Sequence, residues 1–197
     1  MSEGMLSFAI FFAAIFTNNI LLTNYLGMCS FLSVSREVKT SVGLGFAVTF
    51  VMAVTSVLNY LAYYYILVPF NIEYLRYIVF IVIIAAFVQI VEMIIERVSD
   101  TLYLSLGIFL PLITVNCAIL GVSLFMVIRE YSLLSSFAYG FGSGIGWFLA
   151  ILAMAGIRQK TSRARIPRGL EGAGIALIIA GIMALAFMGF SGMIDIN

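Results

Sequence analysis

The sequence predicts an all-α membrane protein with six transmembrane helices in two inverted three-helix repeats, the helices of segments one and four being broken. Three observations lead there. The 197 residues are 63% hydrophobic and only 10% charged, with a mean hydropathy of +1.17. A soluble domain of that size leaves too much surface in water to hide so many apolar side chains. The apolar residues fall into six runs, each long enough to cross ~30 Å of hydrocarbon. Finally, the two halves of the chain resemble each other.

The runs follow in order. Segment one covers about Leu6 to Val34, segment two about Val42 to Val68 with a stop at Pro69, and segment three about Tyr77 to Ile95. Segments four, five and six cover about Leu102–Ile128, Leu133–Ile157 and Gly172–Met193. The joints between them are short and carry nearly all the charge: Arg36–Lys39, Asn71–Arg76, Glu96–Asp100, Arg129–Tyr131 and Arg158–Glu171. Helices are expected because backbone facing lipid must satisfy its own hydrogen bonds. The short alternating strands of a β-barrel are absent from the pattern. Met1–Gly4 lacks a basic stretch, and the first apolar run is too long for a cleavable leader.

Basic residues set the orientation. The last joint holds Arg158, Lys160, Arg163, Arg165 and Arg168 against Glu171, which places it in the cytoplasm. Alternation puts Arg36, Lys39 and Arg97 on the same side, so eight of the ten basic residues lie inside and only Arg76 and Arg129 outside. Both termini are then periplasmic, and Tyr60, Tyr63, Tyr64 and Tyr65 mark the outer interface. The basic joint sets topology and touches anionic lipid; nothing points to nucleic acid.

A constant offset relates Leu22, Cys29, Leu32 and Val34 to Leu110, Cys117, Leu120 and Val122, with Ser30 and Ser33 against Ala118 and Gly121. The whole chain reads as one membrane domain with repeats at about 5–97 and 101–193. Three crossings per repeat is an odd number, so the second repeat enters the membrane upside down. Polar residues precede each cysteine: Thr17, Asn18, Asn19, Thr23 and Asn24 in one half, Thr114 and Asn116 in the other. Segment one, at 29 residues, would exceed ~40 Å as a straight helix. Cys29 and Cys117 can meet only if it is broken, tilted or re-entrant. Pro111 is expected to bend segment four.

Two chemistries are open to these thiols. Most buried free cysteines are inert small hydrophobes; a soft metal is the other use. The chain has no histidine, which removes His-ligated haem, zinc and Rieske centres. An iron–sulfur cluster normally takes four thiolates, so with two cysteines another chain must complete any such site. Glu92, with Gln89 one turn earlier on the same helical face, is a second candidate: an intramembrane carboxylate suggests a cation path, or it reaches Arg97 and interfacial water. The glycines Gly140, Gly142, Gly144 and Gly146 lack the lysine and strand of a phosphate loop and are expected to let another helix approach closely.

Several stretches resemble one family along its full length: Leu26-Gly27-Met28-Cys29 with Val34-Ser35, Leu106 through Ala118, Gln89-Ile90-Val91-Glu92-Met93, and Phe187-Met188-Gly189-Phe190-Ser191-Gly192. The family comprises the E-type subunit of the Na⁺-translocating NADH:quinone reductase and the homologous A-type subunit of the Rnf ion-translocating complex. Tyr139 through Trp147, with Ala155-Gly156-Ile157-Arg158, looks more like the quinone reductase subunit; Pro69–Arg76 looks more like the Rnf subunit, whose complex joins ferredoxin to NAD. The resemblance implies six helices in two inverted repeats. It also implies a paralogous D-type partner, inserted the other way up in a six-subunit complex of the bacterial inner membrane. It implies that Cys29 and Cys117, with two cysteines of that partner, hold a [2Fe–2S] cluster. NADH and the flavins sit on other subunits, ubiquinone is reduced and Na⁺ is exported; no complete active site belongs to this chain. An inverted-repeat secondary transporter is the reading from a different class.

Overall fold

The computed structural model describes residues 3–35, 37–98, 110–162, 167, 170 and 172–189. Every regular element among them is helical. These are α1 (Glu3–Ile15), α2 (Met28–Val34), α3 (Val38–Ala62), a π-helical turn (Tyr63–Leu67), α4 (Val68–Phe70), a 3₁₀ turn (Glu73–Leu75) and α5 (Arg76–Val98). They continue with α6 (Leu110–Thr114), α7 (Cys117–Ile128), α8 (Leu133–Thr161) and α9 (Ala173–Met188). Some expectations lie outside the described residues: the start of segment four at Leu102, the stretches Leu106–Phe109 and Phe190–Met193, and the charges Arg36, Asp100, Arg163, Arg165, Arg168 and Glu171.

Four helical stretches are long and apolar enough to cross a membrane: Val38–Phe70, Glu73–Ile94, Pro111–Ile128 and Leu133–Thr161. Gly4–Ile15 and Ala173–Met188 are shorter apolar helices. The chain is a multi-pass membrane protein. Large apolar side chains stand exposed on several of these helices, among them Phe8, Phe46, Val82 and Leu185, as expected of a surface that meets lipid or other subunits.

The core is built on α3 and α8. Gly140 and Gly144 turn one face of α8 onto α3: Cβ atoms there would come within 3.1 Å of the Met52 carbonyl and 2.8 Å of Thr49 Cα. Gly142 and Gly146 turn a second face onto α1, where Cβ atoms would stand 2.8 Å from the Phe11 carbonyl and 3.0 Å from those of Ala14 and Ile15. The glycine run is a packing device, as expected, and it serves two neighbours at once. On the other side of α3, Asn59 donates to Ser123 Oγ of α7 at 2.7 Å in a fully buried contact. Trp147, Phe31 and Phe80 are the largest side chains wholly inside.

One boundary lies slightly beyond expectation. Pro69 does not end segment two. The helix passes through the wide turn at Tyr63–Leu67, which relaxes the i−4 crowding a proline ring creates. It stops at Asn71, whose left-handed φ of 54° closes it. The described helix of segment four, Leu110–Thr114, holds Pro111 in its first turn, where a missing N–H costs little. It ends at Thr114, and Asn116 starts α7 by accepting a hydrogen bond from the Ala118 N–H at 3.0 Å.

Candidate metal centre

Both cysteines sit in the first turn of a helix, Cys29 in α2 and Cys117 in α7. What precedes them positions them. After Ile15 the chain runs without regular structure to Gly27. Unpaired backbone is costly in an apolar interior, and Asn19 relieves it here. Its Nδ2 donates to the Ile15 carbonyl at 3.2 Å and the Gly146 carbonyl at 2.8 Å. Its Oδ1 accepts from the N–H groups of Leu21 and Leu22 at 3.1 and 3.3 Å. Asn19 is fully buried, so all four bonds are shielded from water and count more for it.

The stretch ends at Gly27, whose φ of 85° is the left-handed conformation that glycine adopts without penalty. This turn is pressed into the second half of the molecule. A Cβ on Gly27 would lie 2.8 Å from Trp147 Nε1, 3.1 Å from Ala118 Cβ and 3.1 Å from Asn116 Oδ1. The Leu26 side chain occupies the space a Cβ on Gly121 would take. Asn116 reaches across to Ser30, Nδ2 to Oγ at 3.4 Å. Most directly, the Gly27 N–H donates to Cys117 Sγ at 2.9 Å. One cysteine's sulfur is therefore bonded to the turn that launches the other, two residues away in sequence.

Both thiols are exposed on the surface of this chain. Among the described residues no group of three or more cysteine or acidic side chains converges on a point. The donor set is two soft sulfurs at an open face. That suits half of a four-thiolate iron–sulfur site and does not make a closed site alone.

The far end of α2 is held as well. Arg158 Nη1 donates to the Leu32 carbonyl and to Ser35 Oγ, both at 2.8 Å. A cation on the last carbonyls of a helix is favourable. The sequence marks Arg158 as part of a topogenic joint, and nothing in its spacing reveals this second contact. Gln89 and Glu92 both lie on α5, Gln89 exposed and Glu92 half-buried. No hydrogen bond among the described residues ties either to the cysteine turns. On the predicted outer side, Arg129 stacks over Phe125 and Tyr139, 5.9 and 5.8 Å from their ring centres, and donates to the Tyr131 hydroxyl at 3.1 Å.

A multi-pass helical membrane protein that brings two cysteine turns together across its halves defines the class. The chain belongs to the Rnf-Nqr family of membrane subunits: the family described as "Rnf-Nqr subunit, membrane protein" matches residues 7–194. It is similar to the A-type subunit of the Na⁺-translocating ferredoxin:NAD⁺ oxidoreductase complex of Acetobacterium woodii, 52% identical over 184 residues that span 93% of this chain and 96% of that one. It is similar also to the E-type subunit of the Na⁺-translocating NADH-quinone reductase of Serratia proteamaculans, 52% identical over 191 residues covering 94% and 96%. The corresponding protein of Psychromonas ingrahamii is 50% identical over 195 residues, with the same coverage.

Proposed function

We propose that this chain is the E-type membrane subunit of a Na⁺-translocating NADH:quinone oxidoreductase. In this reading Cys29 and Cys117 supply two of four thiolates to a [2Fe–2S] centre completed by an inverted, paralogous partner. Such a centre carries one electron at a time. The carrying observation is the bond from Gly27 N–H to Cys117 Sγ, which joins the two cysteine turns at an exposed face. The chain's own part is mechanical and electrostatic. Asn19 and Asn116 hold the turns, the apolar surround limits water, and the exposed thiols leave room for a sister protein. Segments one and four are then broken spans of two inverted repeats, with six crossings, periplasmic termini and a cytoplasmic basic joint in the bacterial inner membrane. The flavins, NADH and ubiquinone belong to other subunits.

The Rnf reading has its own support in the 52% identity to the Acetobacterium protein. Companions separate the two. Solubilised gently and purified through a tag on this chain, the complex is expected to bring down a quinone reductase set when sized by mass spectrometry. A ferredoxin:NAD⁺ oxidoreductase set assigns the chain to Rnf instead. Recovery of this chain alone, without iron, favours a secondary transporter.

Glu92 and Gln89 are proposed to line the cation path. Glu92→Gln is expected to raise the Na⁺ concentration needed for half-maximal turnover. An unchanged Na⁺ dependence, measured as turnover against added NaCl, retires that path.

A further inference from the structure

Trp147 is wholly buried, and its indole Nε1 has no hydrogen-bond partner among the described residues. An orphaned donor inside an apolar protein is costly and calls for an explanation. Its location supplies one. Nε1 lies 2.8 Å from where a Gly27 Cβ would stand, at the junction of the two cysteine turns. The Gly27 N–H already points at Cys117 Sγ. Two N–H groups from different parts of the fold thus meet beside the sulfur site, one bonded to a ligand sulfur and one unspent.

We propose that Gly27 and Trp147 are positioning residues that set the electron affinity of the centre held by Cys29 and Cys117. N–H groups donated toward the sulfurs of a redox centre stabilise the added negative charge of the reduced form, and such bonds are among the main controls on its potential. In a low-dielectric interior each donor counts for more than it would in water. The requirement for glycine at 27 then has a second cause besides its positive φ: a side chain there would separate the Trp147 N–H from the cysteine turns. The proposal rests on the reading of the cysteines as ligands.

The test uses the whole purified complex and follows the centre by electron paramagnetic resonance during a redox titration, with iron measured in parallel. Trp147→Phe removes the N–H and keeps an aromatic filler. It is expected to retain iron and to shift the midpoint to a more negative potential. β-(3-Benzothienyl)alanine at position 147 keeps the bicyclic shape and lacks only the N–H. It is expected to shift the midpoint the same way, and loss of the centre from this variant also supports the donor role. A centre retained at the wild-type midpoint in the benzothienyl variant overturns the proposal, whatever Trp147→Phe does. Failure of the underlying reading looks different: the same resonance persists in Cys29→Ala and Cys117→Ala.

Discussion

Alanine at Cys29 or at Cys117 is expected to abolish the iron centre proposed there and to lower electron transfer to the quinone by on the order of 100-fold or more, since even loss of an outer contact to a metal ligand costs 10–100-fold. The substitution is cleaner at Cys29, because Cys117→Ala also takes the acceptor from the Gly27 N–H. Both side chains are exposed, so removing a sulfur opens no cavity in the core. Both lie in helices, where alanine is the best-tolerated residue. The Cys29 variant is therefore expected to reach the membrane in wild-type amounts, so that iron falls relative to the amount of this chain. Iron analysis, the low-temperature resonance and NADH-to-quinone rates on one preparation measure all three quantities. Retention of both iron and rate in the two variants would rule out the redox assignment.

The second large effect concerns folding. Gly146→Leu is expected to cut the yield of folded protein several-fold, because overpacking a tight interface costs ~1–3 kcal/mol and a loss of roughly 1–2 kcal/mol already changes abundance several-fold. The neighbours cannot give way. A Cβ at 146 would already stand 3.0 Å from the Ala14 and Ile15 carbonyls and 2.9 Å from Asn19 Nδ2, so the insult falls on backbone and on the amide that organises the stretch before Cys29. Gly156→Ala is the control, since nothing lies within 4 Å of its added Cβ. Fluorescence-detected size exclusion in detergent compares the two. Equal monodisperse peaks would show that the glycine stripe is not a constraint.

The membrane character and the approximate limits of most segments were legible in sequence because hydropathy is a local, additive property. The glycine contacts were legible for a similar reason: small residues at helical spacing have few other uses in lipid. Local signals that compete were harder. Pro69 carries a strong helix-breaking tendency, yet the helix runs on to Phe70 and Asn71 closes it. The cysteine pairing was legible only as a condition, that segment one must depart from a straight rod. The means by which it does so, four hydrogen bonds to one buried Asn19, depends on Gly146, more than a hundred positions away. The contacts of Trp147 and Arg158 with the cysteine-bearing segment are of the same long-range kind, and no periodicity encodes them.

The outward-facing thiols bear on biogenesis. With Cys29 and Cys117 as the proposed ligands, both on an open flank, the chain would be unable to bank a prosthetic group while waiting for a companion. Loading and pairing would then be linked, and an orphan copy would be left with exposed sulfur open to oxidants and stray metals. On the proposed reading, dividing the ligands between two gene products would act as a checkpoint: only a correctly mated couple would become conductive, and surplus copies would stay electrically silent.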